Sequence, residues 1–416
     1  MFRVLALFAW VAILLSAAAA AADEQDQHEC AMYMAPSTIP GAGRGIVAGK
    51  DFDEEEVIDS AVSMTIPAHY IGSWQLQNYV YASEEDGHSM VLFGVGMLFN
   101  HLLPATVHHY WDTHEVVQTK DNKFQPSTVY SPVAHNTTTT LKRGQEIFTS
   151  YGDDAWFTDR GLSLDLNKTK EDGKEDATAV ATPPVLLVSE EDLAKNGHCI
   201  TDIYVAKSEK TLGGFGVYAS RNFSKGEIVS ISPVLTLPRE ELEFIQYESV
   251  IQNYCIAASN SSVALFPIGY SALVNHDKNP NLVMEWYSWP NDPPGKLQGL
   301  LELPVDDLLK KEFAQLDIAF RATRDIEIHS ELTMHYGAAW VEDWAEHLAN
   351  QVAFDSLDAK EKELLESEDA RPWFRAFIEP PATMTWPEGW RQLPKSPEEA
   401  ESEATETPTG AGGEEL

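Results

Sequence analysis

The sequence predicts a mainly β fold with short helices, of the α+β class, in which one domain occurs twice in tandem. Short runs of alternating apolar residues are bounded by Gly, Pro, Asn and Asp, as expected of small twisted sheets. Helical periodicity is confined to a few stretches, and a set of sequence landmarks recurs in the same order in both halves. The length of 416 residues and the apolar fraction of 44% accommodate two or three domains.

The recurrence begins with a Gly-rich turn. Residues 36–52 read PSTIPGAGRGIVAGKDF, and residues 207–223 read KSEKTLGGFGVYASRNF. Each segment is followed by an acidic or Lys-Gly-Glu turn and then by a short β-branched run, at Val57 and again at Ile228. This pattern predicts a glycine turn between two short strands in each copy.

Three further landmarks follow in the same order. The sequence LFNH at 98–101 recurs as LVNH at 273–276, and QEIFTSYG at 145–152 recurs as SELTMHYG at 330–337. A tryptophan follows each Tyr-Gly, at Trp156 and Trp340. In addition to these landmarks, Cys30 and Cys199 lie at similar distances before the Gly-rich turns. Four landmarks in one order indicate an internal repeat.

Individual elements and boundaries follow from the local pattern. Strands are predicted at 203–205, 216–219 and 228–231, and helices at 239–247, 340–352 and 358–368. The second copy carries a Pro-rich insertion between Trp286 and Leu316, which predicts a loop with a short helix. The predicted order is a signal peptide at 1–22, a degenerate domain at 30–161, a linker at 162–184, a second domain at 185–350, a helical Trp-containing segment at 351–394 and an acidic disordered tail at 395–416.

The first residues indicate entry into the secretory pathway. Arg3, an apolar run and an alanine-rich stretch have the order of a cleaved signal peptide, and the alternative is an uncleaved signal anchor. N-glycosylation sequons agree with entry into the secretory pathway and lie at Asn136, Asn167, Asn222 and Asn260. The three cysteines, Cys30, Cys199 and Cys255, allow one disulfide bond and leave one thiol, and the sequence does not select the pair.

The formal net charge of −36 limits the partners of the chain. Nucleic-acid binding needs clustered Lys and Arg to neutralise phosphates, so nucleic acid is excluded as a partner. The same charge favours solubility and attracts basic proteins or lysine-containing peptides. After cleavage of the signal peptide no later stretch is long and apolar enough to predict a membrane span.

Taken together, the landmarks resemble the SET domain family of S-adenosylmethionine-dependent lysine methyltransferases and their inactive relatives. The second copy carries all three family motifs, Gly214-Phe215-Gly216, the segment NHDKNPN at 275–281 and the segment ELTMHYG at 331–337. The first copy carries Gly43-Arg44-Gly45 and EIFTSYG at 146–152, but its middle motif reads NHLLPAT at 100–106. The resemblance covers about three quarters of the chain and implies two β-clip, pseudoknotted domains.

The resemblance also implies roles for single residues. It assigns S-adenosylmethionine binding to Gly214, Phe215, Gly216, Asn275 and His276. Counterparts for binding in the first copy are Asn100 and His101, and the counterparts of the family's active-site tyrosine are Tyr336 and Tyr151. A lysine amine is mostly protonated at neutral pH, and a desolvated aromatic channel favours its neutral form. We expect Trp286, Tyr287 and Trp289 to contribute aromatic walls to that channel.

Several departures from the family pattern weigh against catalysis. The small residue after Asn-His is replaced by Asp277 in one copy and by Leu102 in the other, and the glycine kept at Gly144 is His329 in the second copy. No Cys-rich segment follows either copy, so no zinc-bound closing flap is expected. The spacing of His108, His109, Asp112 and His114 suits a surface strand better than a metal site, and no metal is predicted.

Two functions remain open at this level. The first is a protein-lysine N-methyltransferase that uses S-adenosylmethionine and has its site in the second copy. The second is a non-catalytic secretory protein that uses degenerate SET scaffolds for binding or structure. The predicted secretory location favours the second function, because the cofactor is made in the cytosol and secretory compartments are not where most protein methylation occurs.

Overall fold

The protein was analysed as a computed structural model that describes most of the chain. The described residues are 29–67, 75–82, 88–111, 129–152, 155–158, 186–208, 210, 214–244, 251–311, 313–355 and 376–391. The predicted signal peptide, the linker core at 162–184, the helix at 358–368 and the acidic tail lie outside these ranges, as do Asn167, Asp112 and His114.

The architecture is mainly β with short helices, which confirms the predicted fold class. The strands of the first half are β1 (Met32–Pro36), β2 (Arg44–Ala48), β3 (Val57–Pro67), β4 (Tyr81–Ala82), β5 (His88–Phe93), β6 (Asn100–His101), β7 (Val107–Trp111), β8 (Val129–Thr137) and β9 (Glu146–Thr149). The strands of the second half are β10 (His198–Cys199), β11 (Ile203–Lys207), β12 (Phe215–Ala219), β13 (Ile228–Pro238), β14 (Val263–Pro267), β15 (Asn275–His276), β16 (Leu282–Tyr287), β17 (Leu316–Ala322) and β18 (Glu331–Met334).

The helices are short apart from the last. They are α1 (Ala155–Thr158), α2 (Glu190–Asn196), α3 (Arg239–Phe244), α4 (Lys296–Leu301), α5 (Val305–Leu309) and α6 (Ala338–Asp355). Single 3₁₀ turns lie at Gln75–Asn78, Val95–Leu98, Ile251–Tyr254, Tyr270–Leu273 and Glu388–Trp390. The helix predicted at 340–352 is part of α6, and the predicted insertion carries two short helices, α4 and α5, rather than one.

The strands of the described residues form four sheets, and their order is alike in the two halves. One pair of sheets has the orders β10-β1-β2-β9-β6 and β11-β12-β18-β15. The other pair has the orders β4-β5-β3-β8-β7 and β14-β13-β17-β16. The central strands β3 and β13 are each 11 residues long, and each pairs on both sides with antiparallel neighbours.

A parallel pairing brings the predicted motifs together in each half. β6 pairs in parallel with β9, and Asn100 lies opposite Phe148. β15 pairs in parallel with β18, and Asn275 lies opposite Thr333. Because the strands are parallel, residues that are far apart in the chain meet at the same sheet edge. The Asn-His motif therefore lies beside the strand that leads to the Tyr-Gly motif.

The two halves share one hydrophobic core. Its largest buried cluster joins Met64, Ile66 and Val91 of the first half to Val234 and Phe266 of the second, all at most 1% exposed. Polar contacts cross the same boundary. The Gln75 side-chain oxygen accepts from the Thr236 backbone N–H at 2.9 Å. A buried surface of this kind resists separation of the halves, because apolar area would return to water.

A disulfide bond joins the two halves at Cys30 and Cys199. The two cysteines are 169 residues apart, and β10, which contains Cys199, pairs antiparallel with β1. Cys255 is a free, fully buried thiol, and burial raises its pKa. The structure thus selects one of the pairs that the sequence left open.

The C-terminal segment packs back onto the second half. Trp386 and Trp390 are buried, and both rings lie near Trp286, at centroid distances of 6.1 and 6.0 Å. Trp373, the third tryptophan of this segment, lies outside the described residues. No helix in the described part of the chain is long and apolar enough to cross a membrane.

Candidate functional site

In the first half, Asn100 holds the Gly-rich turn against the strand of the last motif. Its side-chain N–H donates to the Arg44 carbonyl and to Glu146 Oε1, both at 2.9 Å. Glu146 is only 2% exposed and also accepts from Ser37 Oγ at 2.8 Å and from the Thr38 N–H at 2.5 Å. A buried carboxylate requires such donors, since an unpaired one is costly away from water.

The same network recurs around Asn275. Its side-chain N–H donates to the Phe215 carbonyl and to Glu331 Oε1, both at 2.9 Å. Ser208 Oγ donates to the same Oε1 at 2.8 Å. The structure therefore places the Asn of the middle motif, the Glu of the last motif and the Gly-rich turn at one point in each half.

A glycine makes this close approach possible. A Cβ atom at Gly216 would lie 2.5 Å from Glu331 Oε1, and one at Gly45 would lie 2.0 Å from Glu146 Oε1. Both distances are shorter than the contacts that real Cβ atoms make with neighbouring heavy atoms. The second glycine of each Gly-x-Gly motif is thus required by the Glu side chain beside it.

The histidine of each Asn-His motif accepts a hydrogen bond from the backbone of the tyrosine in the last motif. His101 Nδ1 accepts from the Tyr151 N–H at 2.9 Å, and His276 Nδ1 accepts from the Tyr336 N–H at 3.2 Å. An accepting Nδ1 places the proton of the neutral ring on Nε2. Burial, followed by the nearby His335, lowers the pKa of His276, so its ring is neutral at physiological pH. His276 Nε2 is buried and has no hydrogen-bond partner among the described residues.

The two tyrosine hydroxyls are donors to the backbone. Tyr336 donates to the Val274 carbonyl at 2.6 Å, and Tyr151 donates to the Phe99 carbonyl at 2.8 Å. Burial raises the pKa of both tyrosines, so both stay protonated near neutral pH. Their single protons are committed to the carbonyls, which leaves the oxygen lone pairs as acceptors.

Aromatic side chains surround each histidine. In the first half the His101 ring lies 4.8 Å from Phe157, and Tyr151 lies 4.6 Å from Trp156. In the second half the His276 ring lies 5.2 Å from Trp340 and 4.9 Å from His335. The tryptophan after each Tyr-Gly therefore belongs to the neighbourhood of the motif, although the sequence assigned it no role.

An ion pair accounts for the unusual residue after Asn275-His276. Asp277 pairs with Lys210, which precedes the Gly-rich turn, and Asp277 Oδ1 also accepts from the Asn279 N–H at 2.8 Å. Hydrogen bonding to Lys210 lowers the pKa of Asp277. The residue that departs from the family pattern thus ties two loops of the site together.

A cavity of about 530 Å³ adjoins the first motif set. Its walls include Arg44, Asn100, His101 and Tyr151 of the first half. Residues of the second half close it, namely Pro233, Ile268, Asn291, Asp292, Lys296, Phe313, Ala314, Gln315 and Asp317. Most of the closing residues belong to the insertion after Trp286 or to the strand that follows it. A volume of this size suits a small-molecule ligand.

The three aromatic residues that were expected to line one channel do not lie together around a common space. Trp286 points to the C-terminal segment, where its indole N–H donates to the Thr385 carbonyl at 2.7 Å. Trp289 is 3% exposed and lies under the guanidinium of Arg44 at 4.1 Å from the ring centroid. Tyr287 packs edge-to-face on Trp289. Trp289 therefore supports the cavity of the first set, because the insertion folds toward the other half.

Glu146 and Glu331 are the site residues that sequence reasoning missed. Both were part of the quoted motifs, but neither was given a role. A glutamate at the same place in both copies, five residues before a Tyr, was the available signal. In the described residues, no group of three or more His, Cys, Asp or Glu is arranged to hold a metal ion.

Comparison with known proteins gives a match to the segment that contains the second motif set. A family model described as the SET domain matches residues 214–337, which contain Gly214, Asn275, Glu331 and Tyr336. No curated protein sequence matches the chain. The chain therefore contains a SET domain over residues 214–337.

Three solved structures with similarity to parts of the chain are a histone methyltransferase and two forms of polycomb repressive complex 2. A Plasmodium falciparum protein described as a histone methyltransferase is 24% identical over 34% of this chain and 96% of its own, with a TM-score of 0.24. An active polycomb repressive complex 2 in the basal state is 16% identical over 33% of this chain, with a TM-score of 0.23. An autoinhibited polycomb repressive complex 2 bound to S-adenosylmethionine is 17% identical over 32%, with a TM-score of 0.23. This chain spans 15% of each of the two polycomb chains.

Proposed function

We propose that the protein is an S-adenosylmethionine-dependent protein-lysine N-methyltransferase whose catalytic centre is the second motif set. The observation that carries this proposal is the joint position of Gly216, Asn275, Glu331, His276 and Tyr336 within the segment that matches the SET domain. Within the set, Asn275 donates to Glu331, and His276 accepts from the Tyr336 backbone N–H. The site is therefore preorganised by the fold before any ligand arrives.

The described residues fit an S-adenosylmethionine site. The side-chain NH2 of Asn275 is committed to the Phe215 carbonyl and to Glu331, so we assign ligand contacts to the backbone of Gly214-Phe215-Gly216 and of Asn275-His276. His276 Nε2 is buried without a partner, which suits a nearby polar ligand atom. When bound, S-adenosylmethionine supplies an electrophilic methyl group.

Tyr336 orients the substrate amine. Its hydroxyl proton is committed to the Val274 carbonyl at 2.6 Å, so the oxygen accepts a hydrogen bond from an incoming amine. A raised pKa rules the tyrosine out as a base at neutral pH. We assign Tyr336 the task of turning the amine lone pair in line with the methyl group, and the lysine proton leaves to water.

The charge of the chain suits a basic protein substrate. Asp and Glu number 65 against 29 Lys and Arg, and an acidic surface raises the rate of encounter with basic segments.

We place the protein in the secretory pathway. The Cys30–Cys199 bond and the exposed sequons at Asn222 and Asn260 support this location, since disulfides persist in oxidising compartments.

We further propose that residues 30–161 form a second, degenerate SET-type domain beside the domain at 185–350. The matching strand orders and the equivalent Asn100–Glu146 contact support this assignment. Gly152 and Gly337, which end the last motif of each half, also share one backbone conformation, with φ of +107° and +104°.

The alternative is a non-catalytic secretory binding protein built on two SET scaffolds. Asp277 beside the cofactor motif and the Cys30–Cys199 bond favour it, because the first departs from the family pattern and the second separates the protein from the cytosolic cofactor supply. The two functions differ in one measurable property, which is methyl transfer.

The test is a methyl-transfer assay on the full secreted chain. It uses radiolabelled S-adenosylmethionine and an array of lysine-containing basic peptides. Incorporation of label that depends on the target lysine supports the proposal. The proposal is contradicted if incorporation across the array equals that of a blank without enzyme and calorimetry detects no binding of S-adenosylmethionine. That result would favour the non-catalytic binding function.

Matched tyrosine variants locate the centre. Tyr336→Phe keeps the ring but removes the hydroxyl, and we expect kcat to fall by about 100-fold with little change in KM. Tyr204→Phe is the control, since Tyr204 bonds His329 and lies outside the motif set. Loss of activity in Tyr151→Phe, with Tyr336→Phe unaffected, would move the catalytic centre to the first set.

A further inference from the structure

A buried polar cluster joins the two halves beside the second motif set. Its members are Asp59 of β3 and His135 of β8, which lie opposite each other in the sheet, and Tyr270, which opens the 3₁₀ turn before β15. The Tyr270 hydroxyl donates to Asp59 Oδ1. Asp59 is 3% exposed and His135 is fully buried. A carboxylate of the first half is therefore bonded to a side chain of the second half away from water.

Tyr270 is the hydrogen-bond donor that the structure gives to this carboxylate. His135 Nδ1 lies 3.2 Å from Asp59 Oδ2, but the contact lacks hydrogen-bond geometry, and His135 Nε2 has no hydrogen-bond partner among the described residues. Burial, followed by Asp59, raises the pKa of Tyr270, so its hydroxyl keeps its proton and remains a donor. A buried carboxylate with so few donors lowers the stability of a fold.

The second half has uncharged side chains at the equivalent strand positions. After a bulge near its start, β3 places Asp59 opposite His135 of β8. After a bulge at the same place, β13 places Ser230 opposite Phe320 of β17. Because one half builds this strand pair from serine and phenylalanine, the strand geometry does not require an ionisable pair.

The turn before the Asn-His motif differs between the halves in the same way. Residues 94–101 read GVGMLFNH and residues 269–276 read GYSALVNH, so Val95 stands where Tyr270 stands. Both segments form a 3₁₀ turn that starts at this residue. The Tyr270 hydroxyl is thus an addition to a turn that also folds without one.

One turn of the chain connects Tyr270 to the proposed catalytic tyrosine. The turn Tyr270–Leu273 leads into Val274, whose N–H donates to the Ser271 carbonyl at 3.3 Å. The Val274 carbonyl accepts from the Tyr336 hydroxyl at 2.6 Å. A shift of Tyr270 would therefore move the carbonyl that holds the Tyr336 proton, and with it the lone pairs that face an amine.

We propose that Asp59 and Tyr270 are positioning residues of the catalytic centre, and that the first half uses the bond between them to hold the turn 270–274 where it orients the Tyr336 hydroxyl. This inference rests on the proposed function and adds a task for the half whose own motif set is incomplete. It accounts for a buried carboxylate at a position where the other half has a serine. A small displacement of an orienting group slows methyl transfer, because the reacting atoms must be aligned.

Two variants that differ by one hydroxyl test the bond. Asp59→Asn removes the charge but keeps an oxygen that accepts from Tyr270, so we expect kcat within about twofold of the wild type. Asp59→Asn combined with Tyr270→Phe removes the donor without leaving a buried charge. We expect this double variant to lose about 10-fold in kcat, with KM for S-adenosylmethionine and for the peptide within about twofold. The methyl-transfer assay on the full chain measures both constants.

A second double variant copies the residues of the other half. Asp59→Ser with His135→Phe introduces the pair that Ser230 and Phe320 form between β13 and β17. We expect an unchanged or higher melting temperature, because uncharged side chains replace buried ionisable ones. We expect kcat to fall about 10-fold all the same, which a role in stability alone does not explain.

Gln75→Leu is the control for a general loosening of the two halves. Gln75 also makes a buried bond between the halves, to Thr236, but this bond does not involve the turn 270–274. We expect a lower melting temperature with kcat unchanged.

Hydrogen–deuterium exchange of the ligand-free chain gives a readout that does not depend on activity. We expect the amides of residues 274–276 to exchange about 10-fold faster in both double variants and at the wild-type rate in Asp59→Asn. If the wild type transfers no methyl group, the proposed function fails, and exchange at 274–276 alone decides whether the bond holds the turn.

Two results would overturn the positioning role. One is a kcat within about twofold of the wild type in both double variants or, for an inactive wild type, unchanged exchange at 274–276. The other is a loss of kcat in Asp59→Asn as large as in its combination with Tyr270→Phe, since the charge and not the bond would then matter.

Discussion

The side-chain amide of Asn275 donates to Glu331 Oε1 at 2.9 Å across 56 residues of chain. This contact fixes the Asn-His loop to the strand of the last motif, and the Phe215 carbonyl completes it from the Gly-rich turn. Three segments of the SET domain thus meet at two side chains. The stability of this part of the fold should therefore respond when the contact is changed.

Asn275→Asp should be strongly destabilising at neutral pH. The new carboxylate would face Glu331 at hydrogen-bond distance without a proton between them, and the loss should reach about 2–4 kcal/mol. Lowering the pH to 5 should recover part of the loss, since the introduced carboxyl group, placed beside another carboxylate, takes up a proton more readily. Denaturant unfolding at both pH values measures this, with exposed Asn279→Asp as the control. Equal loss in both variants would contradict the prediction.

Gly216→Ala should destabilise the domain by about 1–3 kcal/mol. The added Cβ would lie 2.5 Å from Glu331 Oε1, so the carboxylate must leave Asn275 or the strand must shift. Gly299→Ala is the matched control. Gly299 lies in α4 with open space around it, so alanine there should be stabilising by about 0.5–1 kcal/mol. Opposite shifts in melting temperature are the expected outcome.

His329→Gly should stabilise the protein relative to His329→Ala by about 1 kcal/mol. His329 adopts a left-handed conformation with φ of +65°, and Gly144 holds the equivalent place in the first half with φ of +85°. Both variants lose the contact between the His329 ring and Tyr204, so their difference isolates the backbone. If alanine proves as stable as glycine, the backbone of this turn carries no strain.

Asp317 should make stability fall as pH rises between about 4 and 6. Its pKa is raised from 3.8 to about 6, mainly by burial, so the folded state binds its proton more tightly than the unfolded state. The contribution is therefore favourable at pH 4 and is lost as pH passes 6, with a size of about 2–3 kcal/mol. The charged and titratable groups around Asp317 are Arg44, Lys296, Asp292, Tyr79 and Tyr287.

Asp317→Asn separates this effect from the other carboxylates. Wild type and variant are unfolded by denaturant from pH 4 to pH 7, and the variant should gain about 2 kcal/mol relative to wild type over that range. A constant difference across the range would show that Asp317 titrates normally.

The disulfide pairing can be tested by counting the thiols that react with an alkylating reagent. Without reductant, the native chain should show no thiol that reacts with an alkylating reagent, because Cys30 and Cys199 are bonded and Cys255 is buried. In denaturant the count should rise to one. Replacing both bonded cysteines by serine should cost about 2–5 kcal/mol. Three reactive thiols in denaturant would contradict the bond.

The sequence predicted the local features of this protein well. The predicted strands near 203, 216 and 228 lie within β11, β12 and β13, and the helix near 340 lies within α6. Each follows from spacing along one segment, which a short window of sequence contains. The glutamates Glu146 and Glu331 were quoted without a role, because their partners lie more than 40 residues away.

By itself the sequence determined which residue types stand at the recurring landmarks, and hence that 214–337 resembles a SET domain and that Asn100 has a counterpart in Asn275. Only the tertiary structure decided that Cys30 bonds Cys199 and that Asp317 closes a cavity built on Arg44 and Tyr151. The physical reason is the distance along the chain over which each interaction acts. Motifs and alternation act over a few residues, whereas these contacts depend on how two halves bury a common core.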